Sequence, residues 1–175
     1  MKFQTTDIQG LCVVDLDLLE DERGFFARGF CENEFQQNGF DVRFVQANTS
    51  YNRLKGTVRG MHYQIAPALE AKYVRCISGA IYDVVVDLRE DSPTHLHHFG
   101  IKLTAENRTA LFIPPNFAHG FQTLEDNSEL LYQVSAPYTP ECERGLRHDD
   151  PKLGISWPLE VSNISEKDAS WPLLD

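Results

Sequence analysis

Three features that would assign a function class directly are missing from the sequence. No apolar run approaches the ~20 residues that a membrane-spanning helix needs, so no membrane partner is expected. The opening stretch MKFQTTDIQG has no apolar core of the kind that signal peptides carry, which makes a cytoplasmic location the expectation. Basic residues are in the minority, because 16 Lys and Arg stand against 26 Asp and Glu and leave a net charge of −10. Nucleic-acid binders normally present a basic surface, so nucleic acid is not an expected partner.

Cysteine and glycine motifs are missing as well. Cys12, Cys31, Cys76 and Cys142 are widely spaced and form no C-x-x-C pair, which disfavours a zinc site or a redox pair. We expect four free thiols in a reducing compartment. The chain also lacks the G-x-G-x-x-G fingerprint of dinucleotide-binding folds.

Short apolar strands fill most of the chain. Eight segments are rich in Val, Ile, Tyr and Phe, and turn residues separate them. Such spacing is typical of an all-β sandwich or barrel, and the length indicates one domain over residues 1–175. Only residues 31–39 have a helical pattern, closed by Gly39. The predicted strands are 11–18, 41–50, 57–64, 72–78, 80–88, 99–104, 109–114 and 129–135.

His62 lies in the predicted strand 57–64, within RGMHYQ. A β-barrel that binds a metal through such a strand often carries H-x-H, but the second position here is Gln64. A metal site needs three or more convergent ligands. His62 and His119 supply two at most, and Glu70 is the nearest acid in the sequence. We therefore expect no metal, which leaves His62 as either a hydrogen-bonded core histidine or a functional group.

The other histidines divide into two groups. His119 lies in PPNFAHGF, where the prolines before it and the glycine after it predict a bend at a barrel mouth. The remaining four are expected in solvated loops: His95, His97, His98 and His148.

Arg59 and Lys72 are long cations inside otherwise apolar strands. Burying such a charge is costly unless it is paired or used, although either side chain could extend to the rim instead. Both residues are close to His62 in sequence. Strict strand alternation places Arg59 and His62 on opposite faces, and a bulge at Gly60 would bring them together. A shared pocket of Arg, Lys and His suits a phosphate-bearing or carbonyl-bearing substrate.

Three further residues have a structural and a functional interpretation. Tyr132 in ELLYQVS is either a core aromatic or a phenol that donates a proton. Tyr138, after a proline, is either a surface residue or a platform for a flat base. Asp168 in ISEKDASWP is a solvated acid or a helix cap, unless the tail folds back to His62, where a carboxylate would fix the imidazole tautomer.

Many separated motifs, in order, resemble the dTDP-4-dehydrorhamnose 3,5-epimerase family. The resemblance covers nearly the whole chain and implies a cupin-like jelly-roll β-barrel with a few short helices, no cofactor or metal, and a homodimer with an exchanged N-terminal strand. It is carried by RGFFAR (23–28), FVQANTSYN (44–52), GTVRGMHYQ (56–64), AKYVRCISGAIYDVVVDLREDSPT (71–94), IPPNFAHGF (113–121), ELLYQVSAPYTPECERGLRHDDP (129–151), ISWP (155–158) and ISEKD (164–168).

The resemblance also implies a reaction. The substrate would be a nucleoside-diphosphate 4-keto-6-deoxyhexose, whose ketone acidifies the protons at carbons 3 and 5. A base removes one proton to give an enolate, and an acid returns a proton to the opposite face. The family pattern places the base at His62, oriented by Asp168, the acid at Tyr132 and the enolate-stabilising ammonium at Lys72. Positions that match the family's substrate contacts are Arg23, Gln46, Asn48, Arg59, His119, Tyr138, Glu143 and Lys167.

Two departures from the family pattern leave alternatives open. The family commonly has Glu where Arg28 stands, and Asp where Ala47 stands. Both positions belong to segments that contact the nucleotide, so a CDP- or GDP-linked sugar, or inversion at one carbon only, is a second hypothesis. A non-catalytic nucleotide-sugar-binding cupin and a metal-dependent cupin dioxygenase are the remaining two.

Overall fold

The structure is a computed structural model that describes all 175 residues. It is nearly all β, with two α-helices of six and four residues, α1 (Glu32–Gln37) and α2 (Glu166–Ala169), and a 3₁₀ turn at Pro140–Cys142. Neither helix has the length or apolar character to cross a membrane. The strands are β1 (Lys2–Thr5), β2 (Cys12–Asp15), β3 (Leu19–Asp21), β4 (Gly24–Phe26), β5 (Gln46–Asn52), β6 (Val58–Gln64), β7 (Lys72–Ser78), β8 (Ala80–Asp87), β9 (His98–Thr104), β10 (Ala110–Ile113), β11 (Phe117–Thr123), β12 (Ser128–Val134) and β13 (Glu143–Gly145).

Two antiparallel sheets form a jelly-roll-like fold, as the sequence predicts. The six-stranded sheet has the order β1-β2-β10-β7-β12-β5, and the five-stranded sheet has the order β13-β6-β11-β8-β9. The main core packs between them, with Val74, Leu111 and Leu130 on one side and Val85 and Phe121 on the other. A cavity continues this inter-sheet space toward β5, β6 and β13.

A second apolar cluster covers the outer face of the six-stranded sheet. Phe35 of α1 is fully buried there against Tyr73 and Phe112. Burial of one such side chain contributes about 1.5–3 kcal/mol to the free energy of unfolding. The helix therefore closes this face, and Gly39 beyond its end has the positive φ of +86° that the predicted termination requires.

Two predictions about histidines are wrong. His119 lies within β11 and not at a bend, because the prolines before it end at residue 115 and strand pairing with both β6 and β8 begins at once. His98 begins β9, and its ring bonds the Leu153 carbonyl at 2.9 Å. His148 is largely buried, with its Nδ1 unpaired. His98 and His148 are thus packed against the chain and not fully solvated.

Candidate active site

Two adjoining cavities lie between the sheets. The larger, about 370 Å³, is bordered by β5, β6, β7, β12 and β13, and the smaller, about 180 Å³, by β5, β6, β7, β11 and β12. His62, Lys72 and Tyr132 border both cavities. The larger cavity adds Gln46, Asn48, Tyr63, Gln64, Glu70, Val134, Tyr138 and Glu143, and the smaller adds Ser50, Arg59, His119, Gly120, Phe121 and Leu130.

A carboxylate from the tail pairs with His62. Asp168 lies in α2, and its Oδ1 is 2.7 Å from His62 Nε2, while its Oδ2 accepts the Gly60 N–H at 3.1 Å. Burial acts to raise the pKa of Asp168, but these hydrogen bonds and the facing imidazole lower it overall. The carboxyl group is therefore ionised near neutral pH and fixes the orientation of the imidazole.

The tail is anchored next to this pair. The Ser165 Oγ caps α2 by accepting the Asp168 N–H at 3.0 Å. Trp171 lies so close to Gly145 of β13 that a Cβ there would collide with the indole. Because Gly145 pairs with His62, the indole contact holds α2 beside the imidazole.

A bulge in β6 brings Arg59 and His62 to the same cavity. On β11, His119 pairs with His62 and Phe121 pairs with Arg59. The two β11 residues are two positions apart and their β6 partners are three positions apart, so β6 carries one extra residue. Gly60 has φ +117°, and a Cβ on it would lie 2.5 Å from the Gly120 Cα. Only glycine fits this close strand approach, and the predicted bulge is confirmed.

Tyr132 and Lys72 face His62 from the other sheet. Both lie on paired strands, β12 and β7, whereas His62 lies on β6 of the five-stranded sheet. Burial raises the pKa of the Tyr132 phenol, the negative charge of Glu70 raises it further, and Arg59 acts against both. Lys72 Nζ contacts the Glu70 carboxylate. A phenol held protonated and an imidazole thus border one cavity from opposite walls.

At the edge of the larger cavity, Glu143 joins two predicted contacts. Its Oε2 accepts hydrogen bonds from the Tyr138 hydroxyl at 2.7 Å and from Lys167 Nζ at 2.5 Å. Burial acts to raise the pKa of Glu143, but these two donors lower it overall. The network links β13 to α2 and leaves the Tyr138 ring half exposed.

The remaining predicted contacts also line the cavities. Gln46 and Asn48 alternate with exposed residues on β5 and bond each other at 2.8 Å. His119 Nε2 bonds the buried Asp83 Oδ1 at 2.8 Å, and Asp83 Oδ2 has no partner. Asp83 is a site residue that the sequence reading missed, because it lies on β8 in a run that reads as a buried strand.

Gln64 occupies the second histidine position for a structural reason. Its side-chain amide bonds the Ala68 and Pro137 carbonyls, each at 3.2 Å, and its oxygen accepts the Thr139 N–H at 2.7 Å. Gln64 thereby holds the loop that carries Tyr138. No group of three or more His, Cys, Asp or Glu residues comes together as a metal-ligand set.

Arg23 is the one predicted contact that the chain does not bring to the cavities. It lies on the β3–β4 hairpin, where its guanidinium pairs with Asp21 at 2.5 Å and is almost fully exposed. Leu19, Phe25 and Phe26 are exposed beside it. Within one chain, nine of the other eleven predicted residues line the cavities, and the remaining two, Asp168 and Lys167, bond to the lining residues His62 and Glu143.

Relatives of known activity match the whole chain. The family model for dTDP-4-dehydrorhamnose 3,5-epimerase matches residues 5–175. The dTDP-4-dehydrorhamnose 3,5-epimerase of Methanothermobacter thermautotrophicus is 43% identical over an alignment of 173 residues that covers 97% of this chain and 92% of the relative.

Solved structures agree with the sequence match. The dTDP-4-dehydrorhamnose 3,5-epimerase of Bacillus anthracis, with TDP and PPi bound, has a TM-score of 0.96 at 38% identity and covers 99% of both chains. The dTDP-6-deoxy-D-glucose-3,5-epimerase of Legionella pneumophila, in complex with dTDP-4-keto-L-rhamnose, has a TM-score of 0.92 at 37% identity and covers 98% of this chain and 92% of that one. The chain is therefore an epimerase that belongs to the dTDP-4-dehydrorhamnose 3,5-epimerase family.

Proposed function

We propose that this enzyme inverts carbons 3 and 5 of dTDP-4-keto-6-deoxyglucose through an enolate, with His62 as base and Tyr132 as acid. The observation that carries the proposal is the placement of the two residues on opposite sheets across one cavity. Inversion requires a proton to leave one face of the sugar ring and another to arrive on the opposite face. A site that only bound the sugar would not need a base and an acid on facing walls.

The His62–Asp168 pair assigns the base atom. Asp168 is an ionised acceptor, so His62 Nε2 carries the proton of their 2.7 Å hydrogen bond. Nδ1 is then unprotonated and accepts the proton from the carbon next to the ketone. The carboxylate stabilises the imidazolium that forms, and its burial keeps it from being solvated by bulk water.

Lys72 and Tyr132 complete the step. The electron pair of the broken C–H bond moves to the carbonyl oxygen, where the Lys72 ammonium stabilises a charge that the ground state lacks. The Tyr132 hydroxyl then donates its proton to the opposite face of the carbon. Solvent reprotonates the phenolate and takes the proton from His62, so each inverted carbon exchanges one hydrogen with water.

Solvent deuterium incorporation tests the proposal. Enzyme and dTDP-4-keto-6-deoxyglucose in deuterated water should give deuterium at carbons 3 and 5, located by NMR. Incorporation at carbon 3 alone would assign a single-carbon epimerase. If no nucleotide form exchanges while the sugar still binds, the epimerase mechanism is wrong and a binding role replaces it.

The identity of the nucleotide base is a separate question, and the same deuterium experiment with CDP- and GDP-linked sugars tests it. Ala47 is exposed on the face of β5 away from Gln46 and Asn48, so its departure from the family pattern leaves this chain's cavity wall unchanged. Arg28 is held by Glu34 at 2.6 Å. The unchanged cavity wall supports dTDP as the preferred form, and a higher kcat/KM for another nucleotide would overturn that preference.

A homodimer would explain the position of Arg23. The exposed apolar residues beside it, Leu19, Phe25 and Phe26, suit a second copy of the chain, whose cavity Arg23 would then reach. Sedimentation should give a dimer. An equimolar mixture of Arg23→Ala and His62→Ala chains should regain activity through mixed dimers with one intact site, and no regain would place Arg23 outside the site. The four free cysteines support a cytoplasmic location.

A further inference from the structure

A buried ion pair lies in the larger cavity beside the proposed acid. Glu70 and Lys72 are both nearly inaccessible, with side-chain exposures of 10% and 11%, and the Lys72 ammonium contacts the Glu70 carboxylate. Neither charged group has another hydrogen-bond partner in the chain. Glu70 lies two residues before Lys72, just ahead of β7, and both border the cavity with His62 and Tyr132.

The stability of the fold alone does not favour an ion pair at these two positions. Removing two charges from water is expensive, and an apolar pair of similar volume is often at least as stable. A neutral acceptor at position 70 would keep a hydrogen bond to Lys72 but would leave the ammonium without a compensating charge. The carboxylate therefore has a role in the electrostatics of the cavity.

We propose that Glu70 is a positioning residue for the epimerisation, which holds Lys72 Nζ at the cavity wall and places a compensating negative charge in the cavity that Tyr132 borders. The inference rests on the proposed function, in which Lys72 meets the enolate oxygen and Tyr132 donates a proton. It assigns two separable properties to one side chain. The acceptor oxygen orients the ammonium, and the negative charge offsets the cations around the phenol.

Those cations and other titratable groups surround Tyr132 on every side of the cavity. Arg59 acts to lower the pKa of the phenol, and Glu70 acts against it. Without the carboxylate, Lys72 would add an uncompensated positive charge beside the same phenol. The titratable groups that border the two cavities with Tyr132 are Arg59, His62 and Tyr63 of β6, Glu70 and Lys72 at β7, His119 of β11, Glu143 of β13 and Tyr138 in the loop before it.

Three substitutions separate the two properties. Glu70→Gln keeps an acceptor but removes the charge, Glu70→Asp keeps the charge on a shorter arm, and Glu70→Ala removes both. We expect Glu70→Ala to lower kcat about 10-fold with little change in KM, and Glu70→Gln to retain most of kcat. In Glu70→Gln and Glu70→Ala, the alkaline limb of the kcat/KM profile should move to lower pH, because a proton donor with a lowered pKa is lost earlier. Glu70→Asp should leave the limb in place.

A titration without substrate identifies the group that moves. Tyrosinate absorbance in the ultraviolet should develop at lower pH in Glu70→Gln than in the parent enzyme, and the difference should vanish when Tyr132→Phe is added. Glu106→Gln, an exposed turn residue with no side-chain partner, is the matched control and should match the parent.

The outcomes separate this inference from the proposed function. If the parent enzyme exchanges deuterium but neither the alkaline limb nor the tyrosinate titration moves in Glu70→Gln, Glu70 is a structural residue and only this inference fails. If the parent enzyme exchanges nothing, the proposed function fails, whereas the tyrosinate titration still reports whether Glu70 acts on Tyr132.

Discussion

Two His–Asp pairs lie in this site, and they differ in access. The His62 ring is 36% exposed to the cavity, and its partner Asp168 comes from the tail. The His119 ring is 11% exposed, and its partner Asp83 lies on the neighbouring strand β8. The hydrogen bonds are nearly equal, 2.7 and 2.8 Å. A carboxylate partner therefore does not by itself mark a base, and the more open ring of His62 is the one with room to accept a proton from a carbon of the substrate.

Removal of each imidazole should show the largest functional difference between the two His–Asp pairs. His62→Ala should lower deuterium exchange by about 10²–10⁴-fold, the usual contribution of general base catalysis. His119→Ala should mainly raise KM, because His119 is proposed to hold the substrate. Equal loss of exchange in both variants, each with an intact circular dichroism spectrum, would mean that the two roles are wrongly divided.

Substitution of the two carboxylates, Asp168 and Asp83, should show the same difference in role as substitution of their histidines. Asp168→Asn should lower kcat about 10²-fold, since an amide can present its NH₂ group to the imidazole and no longer fixes the productive tautomer. Asp83→Asn is the matched substitution and should change kcat much less. Steady-state kinetics on both variants decides, and a larger effect of Asp83→Asn on kcat would reverse the assignment.

A smaller effect on kcat is expected when the contact that anchors the tail to β13 is removed. Trp171→Ala removes the indole that lies against Gly145, so α2 should lose part of its fixed position and kcat should fall about 10-fold. Trp171→Phe should restore most of the activity, because the phenyl ring can fill part of the same space. If Trp171→Ala leaves kcat unchanged while proteolysis of the tail increases, the anchor serves stability alone.

The smallest effect concerns the pH dependence of stability. The pKa of Asp168 is lowered in the folded chain, so its ionised form stabilises the fold above the unfolded pKa, and this contribution is lost as pH falls through the lowered value. Denaturant unfolding at a series of acidic pH values should show a shallower decline for Asp168→Asn than for the parent. If the free energy of unfolding declines in parallel for both proteins, other carboxyl groups account for the loss of stability at acidic pH.

The strands were largely predictable because their composition is local information. The segment KYVRCIS matches β7 residue for residue, and the other predicted strands differ mainly at their ends. Residues 41–45 are the main excess, since their apolar side chains pack in the aromatic cluster without strand pairing. The short strands β1, β3, β4 and β13 were missed, because three or four residues give too little periodicity, and the seven-residue β11 was missed because the prolines before it and its glycine indicated a bend.

The site was predictable only in part. Composition and spacing indicated Arg59, His62 and Lys72 as one pocket, and the family resemblance added their roles. The contact of His62 with Asp168 spans 106 residues and leaves no local pattern. Asp83 was missed for the same reason, because His119 lies 36 residues from it in sequence. Glu70 was missed as a partner although Lys72 is only two residues away, because it precedes β7 in a loop whose geometry the sequence does not show.

The order of the elements along the chain has a consequence for biosynthesis. All thirteen strands precede residue 146, whereas the carboxylate that orients His62 is contributed by residue 168. A ribosome that has translated the whole barrel has therefore made an incomplete catalyst. Activity therefore depends on synthesis through to the tail, because a chain stopped before residue 168 lacks the carboxylate that orients His62.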